Sequence, residues 1–275
     1  SILTDPAITR LDGLWELLSR TRPLTYVTFW LNYQLGGTSP FGYHLLNAGL
    51  HVAASLLVYD ALRRLIPAEA AFWGALVFAV HPVQTEPVAW IFGRAILLAT
   101  IGCLLALSAW VQGQHGRSLA WFAVALLGKE ECAAFPLLLA LLHLTISKNP
   151  REWRWIGAMA ALSLAAAARV MIAVSRTPGA GAGLASDVSP MDYLLAQGLV
   201  IWRYLRLLVA PVGLTVDPQI AIPPAWAGIT GYLLAAGAAF WLWRRQPDRA
   251  REGMWALGAL LLLLPSSSIF PADDL

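Results

Sequence analysis

Phe78-Ala79-Val80-His81-Pro82-Val83-Gln84-Thr85-Glu86-Pro87-Val88-Ala89-Trp90-Ile91-Phe92-Gly93-Arg94 separates two apolar runs, one entering from Ala70 and one leaving towards Trp110. Pro82 and Pro87 each remove a backbone amide donor and bias the preceding residue away from helix, so no regular helix passes through. His81, Thr85, Glu86 and Arg94 fall inside the interruption. In a bilayer, irregular backbone and charge survive together only against protein or a wet cavity. The stretch therefore predicts a broken helix that forms one wall of a polar site at the membrane surface.

The rest of the chain agrees with a membrane setting. Of 275 residues, 58% are hydrophobic and only 13% charged, with a mean hydropathy of +0.62. Such values exceed those of a soluble domain of this length. Several separated apolar runs approach the twenty residues needed to span a bilayer, and alternation suited to a barrel is missing. The fold class is all-α, a polytopic transmembrane helical bundle. The net charge of +3 comes from basic residues in short loops, and no aromatic-plus-basic platform for nucleic acid is present. Cys103 and Cys132 lie in apolar runs and read as packed small hydrophobes. No HExxH, DxD or Cys/His spacing suggests a metal.

Working outward, residues 1–40 read as a polar loop, with Leu14, Trp15, Leu17 and Leu18 able to lay a short amphipathic helix on the bilayer. Spans follow at about 41–62, 70–80 (short) and 91–110. Runs at 118–127 and 132–146 are separated by Gly128-Lys129-Glu130-Glu131; fused, they would bury adjacent charges at mid-bilayer, so two helices meeting at a charged turn are expected. Further helices are expected at 155–174, 193–209, 225–243 and 254–264, with a Gly/Pro/Ser loop at 176–191. His44, Asn47 and His51 share one face of the first span and suit interhelical hydrogen bonds better than a metal. The Trp residues mostly mark the interfacial belt.

Arg63, Arg64, Arg117, Lys148, Arg151, Arg154, Arg244, Arg245, Arg249 and Arg251 cluster in four loops, which places those loops in the cytoplasm. The opposite face then holds residues 1–40, the His81–Pro87 break, the Lys129 turn, the 176–191 loop and Asp217. This orientation holds only if the 193–209 helix is re-entrant or interfacial. Most carboxylates share that non-cytoplasmic face, above the bilayer-depth cations Arg94, Lys129, Arg169, Arg203 and Arg206. Such an arrangement suits a lipid-phosphate donor and a polar acceptor.

At this point a resemblance enters. Arg22-Pro23-Leu24-Thr25, Asn32, Phe41-Gly42-Tyr43-His44-Leu45-Leu46-Asn47 with His51, and His81-Pro82-Val83-Gln84-Thr85-Glu86 occur in a familiar order. Gly93-Arg94-Ala95, Gly128-Lys129-Glu130, and Tyr204-Leu205-Arg206-Leu207-Leu208 with Pro211 and Asp217 continue it. Together they resemble the membrane part of the transmembrane and tetratricopeptide-repeat-containing O-mannosyltransferases, enzymes of the GT-C fold, and their bacterial relatives. The resemblance covers nearly the whole chain. It implies a single GT-C-like membrane domain over 1–275: a first outer loop (1–40), core helices (41–175), an outer loop with a re-entrant helix (176–224) and C-terminal helices (225–275).

The resemblance further implies transfer of a sugar, mannose in this family, from a polyprenyl- or dolichyl-phosphate donor to Ser or Thr of an exported protein. Partners are then membrane lipid, the lipid-phosphate sugar and the acceptor protein, with no separate cofactor. The setting is a bacterial inner membrane or the membrane of the endoplasmic reticulum, with the site on the periplasmic or lumenal face. A tetratricopeptide-repeat region is expected after the membrane part, and a paired-acid motif just upstream of Ser1, so the chain reads as a piece of a longer one. Asp5 lies close to that motif and, with Glu86, is the candidate catalytic carboxylate. Two departures stand out: Ile96 where an acid is common, and Glu131 where a small polar residue is usual.

Transfer needs a base for the acceptor hydroxyl and cations for the charge growing on the leaving phosphate. Arg169, Arg203 and Arg206 are the candidates for the phosphate; Arg169 alternatively snorkels to the interface. Glu86 contacts acceptor or sugar, or pairs with Arg94. His81 is a helix-end hydrogen bonder or a proton carrier. Lys129–Glu130 is a structural ion pair, or a phosphate and sugar contact. Two other functions fit the same residues: a transporter or flippase whose broken helices line a path, and an accessory glycan-binding subunit, which Ile96 favours.

Overall fold

The computed structural model describes residues 5–147, 149–175, 190–214, 224–244 and 250–262. All regular structure among them is helical. The chain forms two compact units, Ser1–Ala133 with Arg154–Val170, and Ala134–Trp153 with Met171–Leu275.

The first unit begins with three helices, α1 (Pro6–Thr9), α2 (Leu14–Leu18) and α3 (Pro23–Gly36), where the sequence predicts loop and one short helix. Asp5 caps α1 by accepting from the Ala7 amide at 3.0 Å, and Pro6 and Pro23 sit in first turns, where a missing amide costs nothing. Ala7, Ile8, Leu17 and Phe29 bury themselves with Tyr43, and Tyr26, Trp30 and Tyr33 pack around them. The polar residues that disguise α3 as loop are used within this unit. The Thr25 hydroxyl donates to the Gly128 carbonyl (2.9 Å) and the Gln34 amide to that of Ile8 (3.2 Å). On α2, Leu17 is buried while Trp15 is 78% exposed, as the amphipathic reading expects.

Helix α3 ends at Gly37, whose φ of 59° is open to glycine at little cost. Next come α4 (Pro40–Leu62) and α5 (Ala68–Val80). The predicted break is then fully developed. His81 is extended, Pro82–Gln84 forms one 3-10 turn, α6 (Thr85–Ala89) follows, Trp90 is extended again, and Ile91–Gly93 turns into α7 (Arg94–Val111). Helix α8 (His115–Gly128) returns against α7. The two backbones approach at Gly102, where an added Cβ would lie 2.7 Å from the Ala125 Cβ. Helix α8 stops at Lys129, which is extended, as the charged-turn reading requires.

In the second unit, α9 (Phe135–Leu142) runs into a π-helical turn, His143–Ser147. Helix α10 (Glu152–Ser175) follows, its residues 154–170 counting with the first unit. Helices α11 (Pro190–Val209), α12 (Ala225–Arg244) and α13 (Ala250–Leu262) complete it. Helices α11 and α12 meet through Gly198, Gly228 and Gly231: a side chain on any of the three would strike the facing backbone. Small residues at such crossings are how helices associate where lipid offers no hydrophobic drive.

Among the described residues, Pro40–Leu62, Ile91–Val111, Glu130–Ser147 and Glu152–Ala173 are long and apolar enough to cross a membrane. Ala68–Val80 and Ala225–Trp241 are shorter apolar helices.

Candidate functional site

Arg94 organises the break. Its side chain is fully buried, at 0% exposure. Nε donates to Asn47 Oδ1 (2.8 Å), Nη1 to the Thr28 carbonyl (3.2 Å) and Nη2 to the Tyr43 carbonyl (3.0 Å). The guanidinium carbon lies 4.7 Å from the Phe29 ring centre and 5.6 Å from that of Tyr43. Asn47 in turn donates to the carbonyl of Trp90 (3.1 Å), the extended residue before α7. One cation thereby joins α3, α4 and α7 by carbonyls, an amide and two ring faces. Among the described residues no carboxylate pairs with it, so the Glu86–Arg94 ion pair considered from sequence is not formed. Seven residues, Pro87 and the extended Trp90 among them, separate the two.

Of His44, Asn47 and His51 on α4, the latter two point into the unit and His44 is exposed. His51 Nε2 meets the Ala79 carbonyl at 2.9 Å and the ring stacks on Phe78. A carbonyl only accepts, so the proton sits on Nε2. His81 accepts from the Val83 amide at 3.2 Å and thus caps the turn that begins the break. Glu86 is exposed, in the first turn of α6.

The charged turn after α8 is paired differently from the sequence expectation. Glu130 is held by Arg22, through Nε at 2.9 Å and Nη2 at 2.5 Å, not by Lys129. Lys129 bonds Glu131 instead, at 2.8 Å. The extended Lys129 sends successive side chains in opposite directions, so adjacent Lys129 and Glu130 separate. Arg22 was visible in the sequence only as part of a motif; the hydrogen bond to Glu130 raises its affinity for the proton, against the opposing effect of burial.

Asp5 is similarly occupied. Its carboxylate accepts from both terminal nitrogens of Arg20, which also reaches Glu16 at 3.2 Å and lies over the Tyr26 ring. The Arg20 hydrogen bond holds the Asp5 carboxyl below the ordinary carboxylate range. Arg169 completes this cluster from α10: its Nη2 donates to the carbonyls of Ser19 (3.1 Å) and Arg20, at the end of α2. The side chain remains exposed, and among the described residues no carboxylate pairs with it. Arg169 thus caps a helix end as well as, or in place of, snorkelling.

Arg203 and Arg206 lie in the second unit on the last turns of α11, the first half-buried and the second exposed. Cations at a helix C-terminus are favoured by its exposed carbonyls. The same unit contains a polar cluster that sequence reasoning missed. His143 meets Glu152 at 2.8 Å, both nearly buried, and Ser147 donates to the other Glu152 oxygen at 2.5 Å. No cluster of His, Cys, Asp or Glu able to hold a metal occurs among the described residues. Asp187, Asp217, Lys148, Arg245 and Arg249 lie outside the described residues.

Comparison with known proteins bears on what such a framework does. No family model matches the chain, and no solved structure does. A protein O-mannosyl-transferase of Caenorhabditis elegans is 39% identical over 134 residues, 42% of this chain and 19% of that protein. Protein O-mannosyl-transferase Tmtc1 of Drosophila melanogaster is 39% identical over 140 residues, 48% of this chain and 16% of that protein. Protein O-mannosyl-transferase Tmtc2 of the same organism matches 231 residues at 28% identity, 77% of this chain and 21% of that protein. The chain spans about a fifth or less of the length of these curated relatives. By its apolar helices and by this similarity, the chain is a polytopic, all-helical membrane protein related to the Tmtc-type protein O-mannosyl-transferases.

Proposed function

We propose that the chain is the membrane part of a GT-C glycosyltransferase that moves a sugar, mannose, from a polyprenyl-phosphate donor to Ser or Thr of an exported protein on the non-cytoplasmic face. The observation that carries this reading is Arg169. It stands inside the long apolar stretch of α10 with an exposed guanidinium, of which, among the described residues, only Nη2 is engaged, by backbone carbonyls. The remaining donors suit an oxyanion at the depth of a lipid phosphate.

In the reaction, a carboxylate takes the acceptor hydroxyl proton as the oxygen bonds to the sugar's anomeric carbon. The bond from that carbon to the phosphate oxygen breaks, and the electron pair stays on the departing polyprenyl phosphate. Because the leaving group is already a phosphate, no general acid is needed. Glu86, exposed in the break, suits the acceptor side better than Asp5, whose charge is matched by Arg20. A further acid is expected upstream in the full-length protein.

The test is sugar transfer by the full-length protein in proteoliposomes carrying polyprenyl-phosphate mannose and an acceptor peptide. Arg169→Ala should abolish transfer while leaving membrane insertion intact, with Arg169→Lys retaining part of it. Unchanged turnover in Arg169→Ala refutes the lipid-phosphate role.

A further inference from the structure

Three helices long and apolar enough to cross a membrane have neighbouring ends in the first unit: α4 at Leu62, α7 at Val111, and α10, which counts with this unit from Arg154. A chain of side-chain hydrogen bonds ties the first two ends together. Arg63 and Arg64 both donate to Asp60 (2.6 and 3.0 Å), and Asp60 accepts from the Ser108 hydroxyl at 2.9 Å. Gln112 donates to that hydroxyl at 3.2 Å, Gln114 to Gln112 at 3.4 Å, and Arg117, in the first turn of α8, to Gln114. Aromatic rings bring in the third end. Trp110 and Trp155 flank the His115 ring at 4.6 and 6.4 Å between centres, and the Arg154 guanidinium carbon lies 5.9 Å from the centre of the Trp155 ring.

Arg63, Arg64, Arg117 and Arg154 therefore share one end of the unit, and all four are exposed. The carboxylates described there are Asp60 and Glu69, the latter in the first turn of α5, so positive charge is in excess. None of these residues takes part in the proposed transfer. Arg63 and Arg64 each use Nε and Nη2 on Asp60. Asp60 thus fixes both guanidinium planes and, among the described residues, leaves Nη1 of each without a partner. Donors fixed in direction match the oxygens of a phosphodiester. Each arginine stands within a turn of the end of an apolar helix, which is headgroup depth, and tryptophans at that level are typical of the membrane interface. On the orientation expected from the basic loops, this end faces the cytoplasm, whose leaflet carries the anionic lipid.

We infer that this end of the first unit is a binding surface for the headgroups of anionic phospholipids, with Arg63 and Arg64, braced by Asp60, and Arg117 and Arg154 as the phosphate-contacting groups. The surface is separate from the proposed donor site at Arg169, which lies on the same helix as Arg154 but fifteen residues, about 22 Å, further along it.

The test titrates the full-length protein in detergent with phosphatidylglycerol and with phosphatidylcholine, and counts bound lipid by native mass spectrometry. Phosphatidylglycerol should bind more tightly, and its advantage should shrink as salt is raised. Arg117→Gln with Arg154→Gln changes two exposed side chains and leaves the Asp60 pairs intact. It should weaken phosphatidylglycerol binding by about twentyfold, about fivefold per charge removed, with phosphatidylcholine unchanged. Arg10→Gln, which removes an exposed arginine paired with Asp12, should change neither. Phosphatidylglycerol carrying a diazirine beside its phosphate should label residues 63–67, 112–117 and 154–155 of the unmutated protein. If the double variant unfolds, that labelling pattern decides. Equal affinity for the two lipids, labelling confined to other segments, phosphatidylglycerol binding unchanged in the double variant, or an equal loss in Arg10→Gln overturns the assignment.

Discussion

Arg94 Nε and Asn47 Oδ1 meet at 2.8 Å in a site closed to solvent, and the Asn47 amide continues the link to the Trp90 carbonyl at the entrance to α7. The break in the helix and the buried cation are therefore parts of one hydrogen-bonded unit. The acceptors for this charge without a carboxylate come from α3 and α4, and the irregular backbone contributes the Trp90 carbonyl that holds Asn47 in place.

Asn47→Ala leaves an Arg94 donor and the Trp90 carbonyl unpaired in a buried site, which costs about 3 kcal/mol. Arg94→Lys should cost a similar amount, because a compact ammonium cannot span three acceptors in a plane. Thermal unfolding of the purified protein in detergent reads both; a melting temperature unchanged in Asn47→Ala excludes the link as a source of stability.

Acid stability should report on Asp5. Its carboxyl is lowered by Arg20, and a carboxyl lowered on folding contributes stability that is fully present above its unfolded pKa of about 3.9. That contribution disappears as pH falls through the folded value. The melting temperature should be level from neutral pH to about 5 and drop below about 4, and Asp5→Asn should flatten that limb. An identical acid limb in Asp5→Asn means that other carboxylates carry it.

Arg22 and Glu130 should be energetically coupled. The pair is bidentate and partly exposed, so a double-mutant cycle with Arg22→Ala and Glu130→Ala should give about 1 kcal/mol. The same cycle between Lys129 and Glu130 should give close to nothing, since Lys129 bonds Glu131. Reversal of the two results restores the pairing expected from adjacency in sequence.

Packing of α7 on α8 depends on the absence of a side chain at residue 102. Gly102→Ala places a Cβ 2.7 Å from that of Ala125 and should destabilise by about 1–3 kcal/mol. Ala125→Gly in the same molecule should recover part of the loss, because the Ala125 Cα still lies 2.9 Å away, as measured by the midpoint of chemical unfolding. Equal losses in single and double variants place the strain elsewhere.

Much of the helix plan was legible because its signals are local. Apolar runs, prolines in first turns and the His81–Pro87 interruption each act over a few residues, and α4, α5, α7, α8, α11 and α12 follow them to within a few positions. Helix α3 was not legible: Thr25, Thr28, Asn32 and Gln34 break its apolar period, and only the partners at Gly128, Arg94 and Ile8 explain three of them. Asn47 and His51 were readable as interhelical hydrogen bonders, while nothing in the spacing set His44 apart from them.

The sequence alone determined that the chain is a polytopic helical membrane protein broken at His81–Pro87, because hydropathy, prolines and buried charge are properties of short stretches. Tertiary structure decided who holds whom: Arg22 with Glu130, Lys129 with Glu131, Arg20 with Asp5, Arg169 with the end of α2, and Arg94 with carbonyls in place of an acid. Partner choice among several like-charged arginines depends on distances set by packing, across 108 residues of chain for Arg22 and 149 for Arg169, which no local pattern encodes.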